Sequence, residues 1–445
     1  MDPDTREQME ESWNVPLLDA LFTRRSRRFG LGMEIAHGPN AFKSEQEPIP
    51  LSTEEEAMLC IAATGLSGMN LSDMPHTRKE EVGDDEVWDG NANTMLEYSG
   101  RTFPSPCGAH GTELFYTNDE GTYIVKMRGM KAEKIQEIAT LDDLDKLVAV
   151  FEDRRIQISD ARIDLPQSFP AFLSLNLWDA NKPGSTLFMP VVDVTEELIN
   201  GMMLNLEQGA YPTDENGEPL GCKKWVDAGL AHIPSPYQSL EPAVCLSATN
   251  MEVGFMAQNL LLTESAMGLG GWPFGGFSPL ITLGGTPMNR GLGFHFETAE
   301  SGPMAGFPYA VGKDGLFETH HPHYYGSIDA AVDHIMEKKF GDKGIFNSNN
   351  SDTAPYKNPG QMEVGIPRTS DDIVQATKDI FNEVIRRYGR FPVFVDPCIM
   401  SIMVQAHHLE LEFYDKYYKD GAYTERHRRH MEKWHGKKRS RLRAA

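Results

Sequence analysis

The stretch that most restricts the fold runs from Gly254 to Leu269. Phe255, Met256, Leu260, Leu261, Leu262, Ala266, Met267 and Leu269 make it apolar almost all round. A helix of that kind has no face to offer water, so it must be buried in a core or in a subunit interface. It runs out into Gly268, Gly270 and Gly271, and then into Phe274-Gly275-Gly276-Phe277. Any fold for this chain has to wrap other elements around that helix and bring its glycine-rich exit close to something flat or tightly packed.

The rest of the chain can supply the wrapping. It has 445 residues and 40% hydrophobic content, enough for one large domain or two ordinary ones. A formal net charge of -23 argues against nucleic acid and against an anionic membrane surface as partners. The five cysteines (Cys60, Cys107, Cys222, Cys245, Cys398) are scattered, with no C-x-x-C pair. They indicate neither a disulfide framework nor a zinc ribbon, and they imply a reducing, cytoplasmic compartment. The acidic start, Met1-Asp2-Pro3-Asp4, has no apolar run of the secretory kind, and no segment is long and apolar enough to span a bilayer.

Along the chain, residues 1–14 read as a polar arm, and Pro16 to Phe22 as a short helix. Ser52-Thr53-Glu54-Glu55-Glu56 is a helix start, with a hydroxyl cap followed by acids that suit the positive end. Residues 73–93 read as a charged loop. Glu113 to Tyr116 and Thr122 to Val125, joined at Asn118-Asp119-Glu120-Gly121, predict a β-hairpin. Leu141 to Phe151 reads as a helix, Phe172 to Leu177 and Thr186 to Val194 as strands, and Thr195 to Leu206 as an amphipathic helix. Gly and Pro make 207–242 a long loop region. Asp329 to Lys339 and Asp371 to Arg387 are further helices, with a polar loop at 341–361. The last twenty residues are basic, which reads as a solvated helix end and tail.

Two segments far apart in sequence point toward chemistry. The first, Arg24-Arg25-Ser26-Arg27-Arg28, puts four guanidiniums and a hydroxyl within five residues. Forked, permanently charged donors with a hydroxyl suit a dianionic phosphate. The second is the buried helix with its Q-N-L-L-L start and G-L-G end. Together they resemble the nitroreductase-like flavoproteins. That resemblance implies an α+β fold, a mixed and largely antiparallel sheet wrapped by helices, and FMN bound at the interface of a homodimer. It implies that Arg24, Arg25, Ser26 and Arg28 contact the FMN phosphate and ribityl chain, and that the turn at Gly275 and Gly276 sends backbone toward the flavin N5. For the family's small-residue turn, Ser67-Gly68-Met69-Asn70 competes with Arg101-Thr102-Phe103-Pro104-Ser105-Pro106-Cys107-Gly108. The second is preferred because a strand follows it directly, and it is similar to the turn of thiazole/oxazole dehydrogenase-type members. Ser105 and Gly108 then face the cofactor, and substrate oxidation is slightly favoured over nitro reduction. Arg368 is the candidate basic residue that closes the phosphate site. The resemblance implies residues 15–330 as the flavin domain with an insertion at about 160–250, then a C-terminal extension at 331–425 and a basic tail at 426–445.

The histidines form a separate set. His320, His321 and His323 cluster beside Tyr324, and His407 and His408 stand near Glu410 and Glu412. Their spacing matches no metal motif, and adjacent residues point different ways on a strand or helix, so no metal site is expected. His323, Tyr324, His407 or His408 could instead serve as proton donor beside the flavin. The glycines follow the central helix rather than precede one, which excludes Rossmann and P-loop readings. The resemblance therefore predicts an FMN-dependent oxidoreductase using NAD(P)H and a small-molecule substrate. The alternatives are a flavin-free binding or assembly protein on the same fold, and a metal-dependent oxygenase built on the histidine clusters.

Overall fold

The computed structural model describes residues 1, 3–77, 82–83, 95–129, 138–287, 289–347, 349 and 356–433. Most of the loop expected at 73–93, part of that at 341–361 and the tail from 434 onward lie outside the described residues.

Ten helices carry the architecture: α1 (Pro3–Trp13), α2 (Leu17–Thr23), α3 (Thr53–Thr64), α4 (Leu144–Arg154), α5 (Thr195–Glu207), α6 (Asn250–Met267), α7 (Ile328–Phe340), α8 (Asp371–Tyr388), α9 (Leu411–Tyr417) and α10 (Glu425–Lys433). Seven strands form the main sheet: β1 (Thr112–Asn118), β2 (Gly121–Val125), β3 (Arg155–Ser159), β4 (Thr186–Asp193), β5 (Gly270–Phe274), β6 (Cys398–Ile399) and β7 (Met403–His407). Their order is β5-β7-β4-β1-β2-β3, with β6 also pairing β4, and every pairing is antiparallel. Helices and an antiparallel sheet in separate layers make this an α+β arrangement.

The sheet sorts its residues by alternation. On one face Leu114, Tyr116, Phe188, Val404 and Ala406 meet α3, α4 and α6. On the other, Phe115, Leu187, Met189, Trp272 and Met403 meet the irregular segments around 163–180 and 281–317. A third core, of helices α5, α7 and α8, closes over Val192 and Val194. Ser52 and Glu55 form the reciprocal capping box that starts α3. Gly268, at φ +78°, ends α6 in the left-handed conformation that favours glycine.

Some expectations change. Residues 3–13 are a helix rather than a free arm, because Met9 buries against the α3–α6 core. Phe172 makes only one isolated bridge, to Phe277, and Ser174–Asn176 is a 3₁₀ turn, so no strand forms at 172–177. The supposed loop 207–242 contains a parallel strand pair, Ala210–Thr213 with Ile233–Pro236, and a helix at Tyr237–Val244. Thr195–Glu207 is a helix but buries nearly every side chain, Glu196 and Glu197 included. The segment 160–250 supplies β4 near the middle of the sheet, and 331–425 supplies β7 beside it. Among the described residues no helix is long and apolar enough to cross a membrane. The five cysteines are all free thiols.

Candidate functional site

The arginine segment leaves α2 in extended conformation and lies against the start of β5. The Arg27 backbone N–H donates to the Gly271 carbonyl at 2.9 Å. The Arg28 guanidinium stacks over the Trp272 ring, 3.9 Å from its centroid. Arg28 also donates to both oxygens of buried Asp179 (2.5 and 3.0 Å) and to Asn176 Oδ1 (3.0 Å). Asn176 in turn donates to the Gly276 carbonyl at 3.2 Å. A continuous set of contacts therefore joins Arg28 to the turn at Gly275 and Gly276, although some 250 residues of chain separate them. Burial pushes the Asp179 carboxyl up to about 6 even with Arg28 against it. Arg28 is thus committed to holding Asp179 and Trp272 in place.

Arg24 and Arg25 are held differently. Arg24 donates to the Ser26 hydroxyl at 2.8 Å, and Arg25 reaches only backbone carbonyls, of Arg24 and Gly421. Among the described residues neither guanidinium has a carboxylate within ion-pair distance. Two half-exposed guanidiniums and a hydroxyl are a donor set that suits a phosphate monoester. Beside them lies a cavity of about 550 Å³ lined by Ser26, Arg27 and Arg28, the aromatic rings of Trp178, Phe413, Tyr414 and Tyr418, and Lys419. The C-terminal segment forms its far wall, where the carbonyl of Ala422 accepts from Arg27. Arg27 lies over the Tyr414 ring and Arg28 over the Trp178 ring, and Asp420 also lines the cavity.

Two buried polar groups flank β5 beneath this segment. Glu264, on α6, lies so close to Gly271 that a Cβ there would sit 1.8 Å from its carboxylate oxygen. Burial raises the Glu264 carboxyl well above its usual range, only partly opposed by Arg24. His407, paired with Gly270 in the sheet, is buried with no hydrogen-bond partner on either ring nitrogen. Burial lowers its imidazole to about 3. Gly30 and Gly270 both pack on the His407 ring, and a Cβ at Gly30 would meet it at 2.6 Å.

The other predicted residues fall elsewhere. Ser105 and Gly108 lie at the N-terminal end of α6, in a loop where the Ser105 hydroxyl accepts from the Ala109 N–H. Glu252, in the first turn of α6, accepts from Thr112 there. The arginine segment is at the opposite end of α6, where Ser265 donates to the Ala20 carbonyl. An 18-residue helix is about 27 Å long, so these groups do not meet around one phosphate. Gly275 returns toward Ser401, whose hydroxyl bonds Asn250 at the N-terminal end of α6. Arg368 is exposed just before α8, and among the described residues no hydrogen bond or ion pair links it to Arg24–Arg28. His323 faces Glu297 (3.3 Å) and stacks on His295, and Tyr324 donates to Asp314. None of His323, Tyr324, His407 and His408 lines the arginine cavity. The aromatic residues that do were missed, because Trp178 and Phe413–Tyr418 carry no local signal beyond hydrophobicity.

A second concentration of charge lies between β4, α5 and α7. Arg128 bridges Asp193 and Glu196 at 3.1 Å each, and Lys338 pairs Glu196 at 2.6 Å and Glu97 at 2.8 Å. Burial pushes the Glu196 carboxyl up, yet Lys338, His320 and Arg128 together hold it well below its usual range. His320 packs 3.5 Å from Asp193.

Comparison with known proteins adds little to this geometry. No family model and no curated protein matches the chain. A solved structure described as a "putative nitroreductase" from Ralstonia eutropha aligns over 59% of this chain and 71% of its own, at 14% identity and a TM-score of 0.26. A likeness that distant carries no argument about activity.

Proposed function

We propose that this chain is an FMN-dependent oxidoreductase of the nitroreductase-like fold, moving hydride between the flavin and a small organic substrate. The observation that carries the reading is the meeting of the arginine segment with the glycine-rich exit of α6. Arg27 bonds Gly271, Arg28 stacks on Trp272, and the Arg28–Asn176–Gly276 contacts continue to the next turn. In this reading Arg24, Arg25 and Ser26 hold the phosphate as charge-assisted donors. Arg28 acts as a positioning residue that fixes Asn176 and the Gly275–Gly276 backbone. The rings of Trp178, Phe413, Tyr414 and Tyr418 exclude water from the cavity. FMN, once bound, supplies reversible hydride acceptance, with NAD(P)H as the reductant.

The same reading makes the protein a homodimer. Leu17, Leu18 and Phe22 of α2 are 64%, 64% and 81% exposed, directly before the arginine segment. Met251, Gly254 and Gln258 give α6 an exposed stripe at helical spacing. The exposed apolar side chains of α2, with Met251 on α6, are what a second copy would cover.

The test is the visible spectrum of the purified protein, with chromatography of whatever denaturation releases. Expected is a yellow protein that yields FMN. A colourless protein that also fails to take up added FMN would remove the proposal.

A further inference from the structure

Glu55, His408 and His430 come from three distant parts of the chain and meet in the interior. Glu55 lies in the first turn of α3, His408 directly follows β7, and His430 is on α10. All three are buried, at 0%, 1% and 7% exposure. His430 Nε2 is 3.1 Å from His408 Nδ1 and 3.4 Å from Glu55 Oε1. One ligating atom from each residue lies within 4.8 Å of the other two.

The local structure aims these atoms inward. The capping box commits Glu55 Oε2 to the Ser52 N–H at 2.7 Å, which turns Oε1 toward His430. His408 Nε2 lies 3.4 Å from the Pro50 carbonyl. With the proton on that nitrogen, His408 Nδ1 presents its lone pair toward His430. Metal-binding histidines are oriented in this way, by a backbone carbonyl on the far nitrogen. In that tautomer His430 Nε2 faces both His408 Nδ1 and Glu55 Oε1. A divalent ion answers both. Ligands about 2.05 Å from a tetrahedral zinc stand ~3.3 Å apart, and the two measured separations are close to that edge.

A second observation points the same way. The side chains α10 buries are His427 and His430, while Arg428 and Arg429 lie outside. A nine-residue helix whose buried face is imidazole gains little from hydrophobic burial. The two other histidine–acid clusters do not share this geometry. Arg128 and Lys338 already neutralise Asp193 and Glu196 beside His320. In the third, Tyr324 occupies Asp314, and His295 and Asp314 lie toward the surface.

We propose that Glu55 Oε1, His408 Nδ1 and His430 Nε2 bind a divalent transition-metal ion, zinc by the chemistry of the donors. The ion fastens α10 to the end of β7 and the start of α3. The segment it secures continues back to Gly421 and Ala422, whose carbonyls Arg25 and Arg27 hold at the wall of the arginine cavity. His430 also lines a cavity of about 760 Å³ between α1, α2, α6 and α10, which gives the ion a route in and a water for the fourth position.

The test uses the full-length protein stripped with EDTA and titrated with zinc chloride by calorimetry, with thermal unfolding followed in parallel. Expected are one zinc per chain, a Kd below about 1 µM and a Tm that rises with zinc. His430→Ala changes only the peripheral helix, and its circular dichroism reports whether the core is intact. In that variant affinity should fall at least ~100-fold and the zinc-dependent rise in Tm should vanish. Glu55→Gln, which keeps a carbonyl for the α3 cap, should weaken zinc as well. The proposal is overturned if the stripped wild type binds zinc no tighter than about 10 µM, or if folded His430→Ala keeps wild-type affinity.

Discussion

The arginine segment and the Arg128 network contain similar side chains and behave as opposites. Arg128 lies between buried Asp193 and Glu196, and Lys338 joins the same Glu196 to Glu97, so the two cations and three acids answer one another inside the fold. Arg24 and Arg25 are half-exposed and rest on a hydroxyl and backbone carbonyls. The first arrangement spends its electrostatics on joining β4, α5 and α7. The second leaves guanidiniums without a carboxylate at ion-pair distance, among the described residues, beside an aromatic cavity.

The largest effect expected from breaking this contrast is at Arg128. Arg128→Met takes the guanidinium from buried Asp193 and leaves Glu196 to Lys338 alone, and chemical denaturation should show a loss of about 3–5 kcal/mol. Arg24→Ala/Arg25→Ala removes as many charges or more, yet should change stability by no more than about 0.5 kcal/mol.

Next comes the pH response of the polar groups beneath the arginine segment. His407 has a folded value of about 3 against 6.5 for the free side chain. Where the unfolded chain takes up a proton and the folded one does not, folding is opposed. The stability linked to His407 is therefore complete above pH 6.5 and falls as pH drops toward 3, by about 1.4 kcal/mol per unit at most. Urea denaturation of wild type and His407→Leu across that range should show a shallower slope in the variant. Equal slopes would mean that the imidazole is solvated.

Flavin affinity sharpens the comparison further. Arg24→Ala/Arg25→Ala should raise the Kd for FMN by ~10–100-fold, the size of one or two lost charge-assisted hydrogen bonds. Fluorescence titration reads this directly. Arg128→Met, where it folds, should leave that Kd unchanged. Phe22→Asp should shift the protein from dimer to monomer in light scattering, with its Tm nearly unchanged, because Phe22 is exposed within the single chain. The smallest effect is Ser26→Ala, about threefold in the Kd for FMN through one neutral hydrogen bond.

What was legible in the sequence was local. The α3 start, the β1–β2 hairpin and the buried α6 each follow from neighbours within one turn of chain: a cap and its acid, a turn and its alternation, a run of apolar residues. The stretch 207–242 was opaque, because the parallel pair at Ala210–Thr213 and Ile233–Pro236 draws its hydrogen bonds from partners more than twenty residues apart. The arginine segment and the glycine-rich exit were visible as motifs, and their meeting was expected only from the resemblance. Ser105, Gly108 and Arg368 were grouped with them by pattern, yet they stand at other places in the fold.

The histidines mark the boundary most clearly. By position, His407 and His408 form one pair. Side chains alternate across a strand, so the fold parts them: His407 packs under Gly30 and Gly270, and His408 turns to Glu55 and His430. By itself the sequence determined which segments are buried, where several helices begin and which residues could carry a charge. Only the tertiary structure decided which charges neutralise one another and which donors converge on a point, since those depend on contacts between residues hundreds of positions apart.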